Sequence, residues 1–273
     1  PGRIVASHMK SQHAIPMLIT VHGSHVPGFN QERLRLAHTM VRPWWRRICR
    51  TADWIVSPSK SLLDLLQGHV VDFCSLVIPN GFDVGRFQSG KKEKRILLCS
   101  RLVRRKGFHT LLDAVQSLEL PGWQIDIVGD GPMYECLAAM ADSSRIPVTL
   151  HGWIDNHDRK LTELYNRAMI FALPSEQENC SIALLEAMSA GCAVITSNVS
   201  GNPELLANCG ALVEHTDPQS LRNAVAELTA EPAKCQRLGA MASRRAQQFF
   251  DRGLIGQQYL KLLDDLKKKR RAA

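Results

Sequence analysis

Two glutamates separated by seven residues, Glu178 and Glu186, stand in the run Glu178-Asn179-Cys180-Ser181-Ile182-Ala183-Leu184-Leu185-Glu186-Ala187-Met188. From Ile182 to Met188 every position is apolar except Glu186. A carboxylate on so apolar a helix is costly unless something hydrogen-bonds it. Ligand hydroxyls are one such partner; a core arginine or backbone amide is another. Glu178 precedes the helix, as either a ligand contact or a solvated loop acid. Asn179 and Ser181 are helix-capping types, and the first amides of the helix favour an anion. Two carboxylates beside an anion site suit a sugar phosphate.

A second cluster is cationic. Arg101, Arg104, Arg105 and Lys106 crowd the stretch Ser100 to Phe108. Arginine grips phosphate in bidentate fashion and lysine acts on it as a point charge; the plainer alternative is a solvated basic loop. Gly129-Asp130-Gly131-Pro132 opens like a dinucleotide fingerprint, but the third glycine would fall at Tyr134. A nicotinamide or flavin reading is therefore weak, and a strand-to-helix turn suffices. His22 ends an apolar strand, where a lone histidine is more often packed than catalytic. His22 and His25 lack a third metal ligand.

These residues need a frame that brings strand ends together. From Arg95 to about Leu228, short β-rich runs alternate with helical patterns. The strands are read at Ile96 to Cys99, Gln124 to Val128, Val148 to His151, Met169 to Leu173, Ala193 to Thr196 and Ala211 to Val213. Six βα repeats predict an α/β fold, a doubly wound parallel sheet with right-handed crossovers. Such a sheet binds ligands at the carboxyl ends of its strands, where each cluster above falls. Residues 1–88 are less regular, with strands expected at Gly2 to Ala6, Met17 to Val21 and Ala52 to Val56 and a turn at Pro79-Asn80-Gly81. The polar run 89–94 reads as a linker between an N-terminal domain (1–88) and a C-terminal one (95–250). An amphipathic helix and basic tail are expected over 251–273.

Bulk properties narrow the class. The 273 residues carry a formal net charge of +8, with 45% hydrophobic and 22% charged residues, ordinary for a globular protein with a large core. A basic balance favours anionic partners. The basic residues sit in one phosphate-sized loop and in Lys267 to Arg271, without interleaved aromatics, which argues against nucleic acid. The eight cysteines are scattered without a C-x-x-C pair and read as reduced core thiols of a cytosolic protein, so no structural zinc site is expected. No apolar stretch has the length of a membrane span, and the N-terminus lacks a signal-peptide layout.

Taken in order, Val21-His22-Gly23, Ile78-Pro79-Asn80-Gly81-Phe82-Asp83, Ser100 to Gly107, Ile127 to Pro132, Pro174-Ser175, Glu178 to Glu186, Gly191 and Gly201-Asn202-Pro203-Glu204 resemble the GT-B-fold glycosyltransferases of family 4. Their signature is a glutamate pair with this spacing, E-x7-E. The resemblance implies two Rossmann-like domains facing each other across a cleft, with the donor in the C-terminal one and the acceptor in the N-terminal one. Arg101 and Lys106 would hold the donor diphosphate of a UDP- or GDP-sugar. Glu178 would contact the donor sugar, Glu186 the ribose hydroxyls, and His22 the cleft near the reacting sugar. The backbone around Gly129 and at Asn179, Cys180 and Ser181 would help orient sugar and phosphate. Transfer to a glycan or lipid-linked acceptor would retain anomeric configuration and need no metal.

The resemblance is incomplete in two places. The family often has Phe-Gly where this chain has Cys180-Ser181. Its opening strand and Gly-rich loop have no counterpart, so the N-terminal domain is expected to be truncated. An inactive donor-binding remnant is the alternative function; a sugar-nucleotide epimerase of similar fold suits the glutamate pair and cations less well. The basic C-terminus reads either as a solvated tail or as a peripheral contact with anionic membrane on the cytoplasmic face.

Overall fold

Ile96, Leu97 and Leu98 are fully buried, and all six residues of the strand Ala168–Leu173 and all five of the strand Ala193–Ser197 are buried, because these strands are covered on both faces. The computed structural model describes residues 2–13, 15–23, 26, 29, 43–88 and 90–272; side chains at 2–5, 8, 11 and 269–272 are not described. The chain divides into two units, Phe82–Arg252 and Pro1–Gly81 with Gly253–Ala273.

The larger unit holds a parallel sheet of β4 (Glu93–Cys99), β5 (Gln124–Val128), β6 (Val148–Leu150), β7 (Ala168–Leu173), β8 (Ala193–Ser197) and β9 (Gly210–Val213). Its order is β6-β5-β4-β7-β8-β9. The intervening helices are α4 (Phe108–Val115), α5 (Tyr134–Asp142), α6 (Arg159–Arg167), α7 (Ile182–Ser189) and α8 (Asn202–Leu206), with α9 (Pro218–Ala230) and α10 (Pro232–Phe249) after β9. The order runs outward in both directions from β4 and β7, so the topological switch point lies between those two strands. Loops leaving their carboxyl ends flank a crevice there. The expected α/β, doubly wound parallel sheet is the fold observed.

The smaller unit has a three-stranded parallel sheet in the order β1 (Leu18–Thr20), β2 (Trp54–Ser57) and β3 (Ser75–Val77). Its other elements are α1 (Gly2–His13), α2 (43–51), α3 (Lys60–Gln67) and α11 (Arg252–Ala272), which starts at the unit boundary. Ser59 caps α3, its hydroxyl accepting from the Leu62 amide. Ile255 and Leu262 of α11 pack with Val56 and Ile78.

Four sequence expectations change. Gly2 to Ala6, expected as a strand, is the first turn of α1. A short apolar run cannot be assigned by period alone, and here the polar residues that follow continue a helix in which Lys10 pairs with Asp53 at 2.6 Å. The chain divides at Gly81/Phe82 rather than after residue 88, because Phe82 and Phe87 bury in the larger core. Within the expected linker 89–94, Glu93 and Lys94 are already strand; Ser89 lies outside the described residues. Of the cysteines expected in the core, Cys74 and Cys136 are exposed.

Candidate functional site

The loop after β4 and the loop after β7 meet at the switch point. A 3-10 turn (Arg104–Lys106) ends at Gly107, whose φ of 71° is one that side-chain-bearing residues rarely adopt. A Cβ there would stand 2.1 Å from the carbonyl oxygen of Pro174. Close by, the Glu176 amide donates to the Arg105 carbonyl at 2.9 Å. This contact brings the Lys106 ammonium against Glu178 in a direct ion pair, with the two side chains 12% and 10% exposed. The Ser175 hydroxyl donates to the same carboxylate oxygen, Oε1, at 3.0 Å. Glu178 is therefore not a solvated loop acid. Its partner is one of the four cations read from the sequence.

The loops after β4, β5 and β6 are laced by backbone. The Leu102 amide donates to Asp130 at 2.8 Å, the Met133 amide to Leu102 at 2.9 Å, and the Gly129 amide to Gly152 at 2.8 Å. Gly129 has φ 139°, and a Cβ on it would meet the Ser100 carbonyl oxygen at 1.9 Å. The protein's own backbone is thus sufficient to demand glycine at Gly129. Arg101 sits on this framework with an exposed side chain. Asp126 of β5 is buried between Arg95 and His151, each at 2.8 Å.

After Glu178 the chain buries Asn179 and Cys180 and enters α7 through half-buried Ser181. Four residues into the helix, Glu186 is 9% exposed. Burial pushes its carboxyl above the ordinary range; the Tyr165 hydroxyl and the Arg86 charge pull back against this. Arg86 Nη1 stands 3.8 Å from Glu186 Oε1. The core arginine weighed as an alternative partner for Glu186 is thus present, but at the outer limit of an ion pair. Tyr165, on α6, is fully buried, and Cys99 and Glu186 are the groups that act on its hydroxyl. The Cys99 thiol is pushed up to about 12, chiefly by burial.

Lys106, Glu178, Arg101, Gly129, Asn179, Cys180, Ser181 and Glu186 all belong to the larger unit, on loops and a helix at the carboxyl ends of adjacent strands. His22 belongs to the smaller unit, exposed two residues beyond β1. His25 lies outside the described residues. Arg86, Tyr165 and Ser175 were not read as site residues from sequence. Arg86 is an isolated cation between Phe82 and Phe87, and nothing local marks it. Ser175 was legible only as part of the Pro174-Ser175 element.

The family described as glycosyl transferases group 1 matches residues 82–245, and the one described as Glycosyltransferase Family 4 matches residues 1–86. Glycogen synthase of Mycobacterium tuberculosis is 28% identical over 256 residues, covering 87% of this chain and 60% of that protein. The chain thus spans about three fifths of this relative's length. Among solved structures, sucrose-phosphate synthase from Thermosynechococcus elongatus superposes with a TM-score of 0.83 at 23% identity, over 98% of this chain and 72% of that one. HepE of Anabaena, solved in complex with UDP-glucose, gives 0.79 at 22% identity, over 96% and 76%.

Proposed function

Since the chain belongs to the group 1 glycosyl transferases, we propose that its larger unit binds a UDP- or GDP-sugar and that the whole protein transfers the sugar, with retention, to a glycan or lipid-linked acceptor. The observation that carries this reading is the convergence of Lys106, Glu178 and Ser175 at the switch point between β4 and β7. A charge pair with so little exposure costs desolvation and is weak evidence for a purely stabilising role. It makes sense as a ready site. On donor binding, Lys106 turns its charge to the diphosphate and Glu178 accepts hydroxyls of the sugar.

Arg101 adds a second cation, and together with Lys106 it offsets charge on the departing nucleotide, an electrostatic contribution to catalysis. The amides of Asn179, Cys180 and Ser181 at the start of α7, with the backbone at Gly129, orient phosphate and sugar. Glu186 accepts the ribose hydroxyls. His22 is assigned to the transfer step on the resemblance alone. With two cations to stabilise the leaving group, the transfer is proposed to proceed without a metal. Leaving group and acceptor then share one face of the sugar, so no second carboxylate of glycosidase type is required.

A panel of UDP-, GDP- and ADP-sugars tested for thermal stabilisation checks the donor assignment. A ligand at a hundred times its Kd raises stability by about 2.7 kcal/mol. One nucleotide class is expected to stabilise the protein selectively, and no response at millimolar concentration to any of them would refute the reading. The anomeric configuration of the product, read by proton NMR, tests retention.

No helix among the described residues is long and apolar enough to cross a membrane. α11 exposes Leu260, Leu263, Lys267 and Lys268, and we propose peripheral contact with anionic lipid on the cytoplasmic face. Sedimentation with anionic liposomes should weaken when residues 267–273 are deleted; unchanged binding would sink this idea.

A further inference from the structure

Glu186 is built into an unusual setting. It projects from an apolar helix and is nearly closed off from water. Two groups on other elements act on it, Arg86 from the 3-10 turn (Val84–Arg86) and Tyr165 of α6, and its charge acts in turn on the Cys99 thiol at the end of β4. Of these, Arg86 alone carries a charge opposite to the carboxylate's. Its guanidinium is held on three sides. Nε donates to the Thr162 hydroxyl at 3.2 Å, the planar group lies 5.0 Å from the centre of the Phe87 ring, and Nη1 faces Glu186 at 3.8 Å. Nη2 is buried without a hydrogen-bond partner. A cation fixed in this way, with a donor left over, is placed for its field rather than for a tight bond.

We propose that Arg86 is a positioning residue that keeps Glu186 ionised and aimed to accept hydroxyl groups of the nucleotide ribose. The proposal rests on Glu186 contacting the donor. Neutral Glu186 would present a hydroxyl donor where an acceptor is required. An opposite charge within roughly 4–6 Å lowers a carboxyl's pKa by about 1–3 units. Without Arg86, burial would act on Glu186 with only the Tyr165 hydroxyl to oppose it. The same guanidinium also packs on Phe87 and Thr162, so a plain loss of stability on its removal would not distinguish positioning from packing.

The experiment is the pH dependence of UDP and GDP binding, measured by calorimetry between pH 5 and 8.5 on wild type, Arg86→Met, Glu186→Gln and the double variant. Glu186→Gln supplies the baseline, since any pH dependence it retains belongs to the nucleotide or to other groups. Relative to that baseline, Arg86→Met should move the midpoint of the affinity profile to higher pH by about one unit, equivalent to a tenfold loss of affinity on its acid side. In the Glu186→Gln background the Arg86 substitution should produce no such shift. If Arg86→Met weakens binding equally at every pH, or shifts the profile in both backgrounds alike, Arg86 merely packs and the proposal is overturned. If Glu186→Gln binds as tightly as wild type, Glu186 is not a donor contact, and this proposal falls with that residue's assignment while the rest of the donor site stands. If neither nucleotide binds wild type, both fall together. Should Arg86→Met fail to fold, Arg86→Gln, which keeps polarity and most of the length, carries the same comparison.

Discussion

Replacing Lys106 with methionine keeps the stem of the side chain and deletes its charge. What remains is the Glu178 carboxylate, side chain 10% exposed, with the Ser175 hydroxyl at 3.0 Å still donating to it. Removing one partner of a fully buried pair costs about 3–5 kcal/mol. A surviving hydrogen bond to a charged group offsets about 1.5–3 kcal/mol. The net loss should therefore be about 2 kcal/mol, or a fall in Tm of about 4–8 °C for a unit of this size. Adding Glu178→Gln removes the unpaired charge, and the double variant should recover at least about half of the loss. Calorimetric unfolding of wild type, both single variants and the double variant closes the cycle. If Lys106→Met and the double variant unfold at the same temperature, the pair is not a buried charge pair and the argument from its desolvation fails.

Other consequences concern the loops and the charged groups around them. Gly107→Ala forces a Cβ to 2.1 Å from a backbone oxygen at a positive φ. It should destabilise the larger unit and weaken nucleotide binding together, by about 1–3 kcal/mol from the backbone strain alone; wild-type binding in a folded Gly107→Ala would show that the contact between these loops does not shape the site. Glu93 is held down to about 2, first by Arg167 and then by Arg95. Its stabilisation is present above 4.5, the ordinary value, and is lost as pH falls towards 2. Because its side chain is 40% exposed, the contribution is about 1 kcal/mol after screening, and urea titrations of Glu93→Gln should diverge from wild type at pH 6 and converge near pH 2.5. Glu186 has the opposite sign: its carboxyl is raised, so wild-type stability falls as pH climbs past 4.5 towards the folded value. Glu186→Gln should lack that decline, so its stability relative to wild type should be greater at pH 7.5 than at pH 4.5. A difference that does not depend on pH would contradict the assignment.

The parallel sheet was legible because strands buried on both faces leave near-continuous apolar runs, as in Met169 to Leu173 and Ala193 to Thr196. Strand ends follow from the strands, so the placement of Arg101, Lys106, Glu178 and Glu186 on one edge was legible too. Which cation meets which carboxylate was not. Lys106 and Glu178 are brought together by the close approach of Gly107 to Pro174, a contact between loops distant in sequence. The same holds for Arg86, which reaches Glu186 through tertiary packing and carries no periodic or motif signal. The α1 helix was hidden because Ile4-Val5 is too short to reveal its period. Helix α10 was hidden because its buried face is built from small residues, Cys235, Gly239, Ala242 and Ala246, rather than large apolar ones.

Arg101 and Lys106 are proposed to receive the diphosphate of a nucleotide donor at the crevice between β4 and β7. Calorimetric titration of UDP against UMP, and of GDP against GMP, on wild type and Lys106→Met tests it most directly. Charge-assisted hydrogen bonds contribute about 1.5–3 kcal/mol each. For the cognate base, the diphosphate should therefore bind wild type about ten- to a hundredfold more tightly than the monophosphate, and Lys106→Met should erase most of that difference while leaving monophosphate binding nearly unchanged. Equal affinity for diphosphate and monophosphate, or a preference that survives the loss of Lys106, would show that Lys106 does not hold the diphosphate.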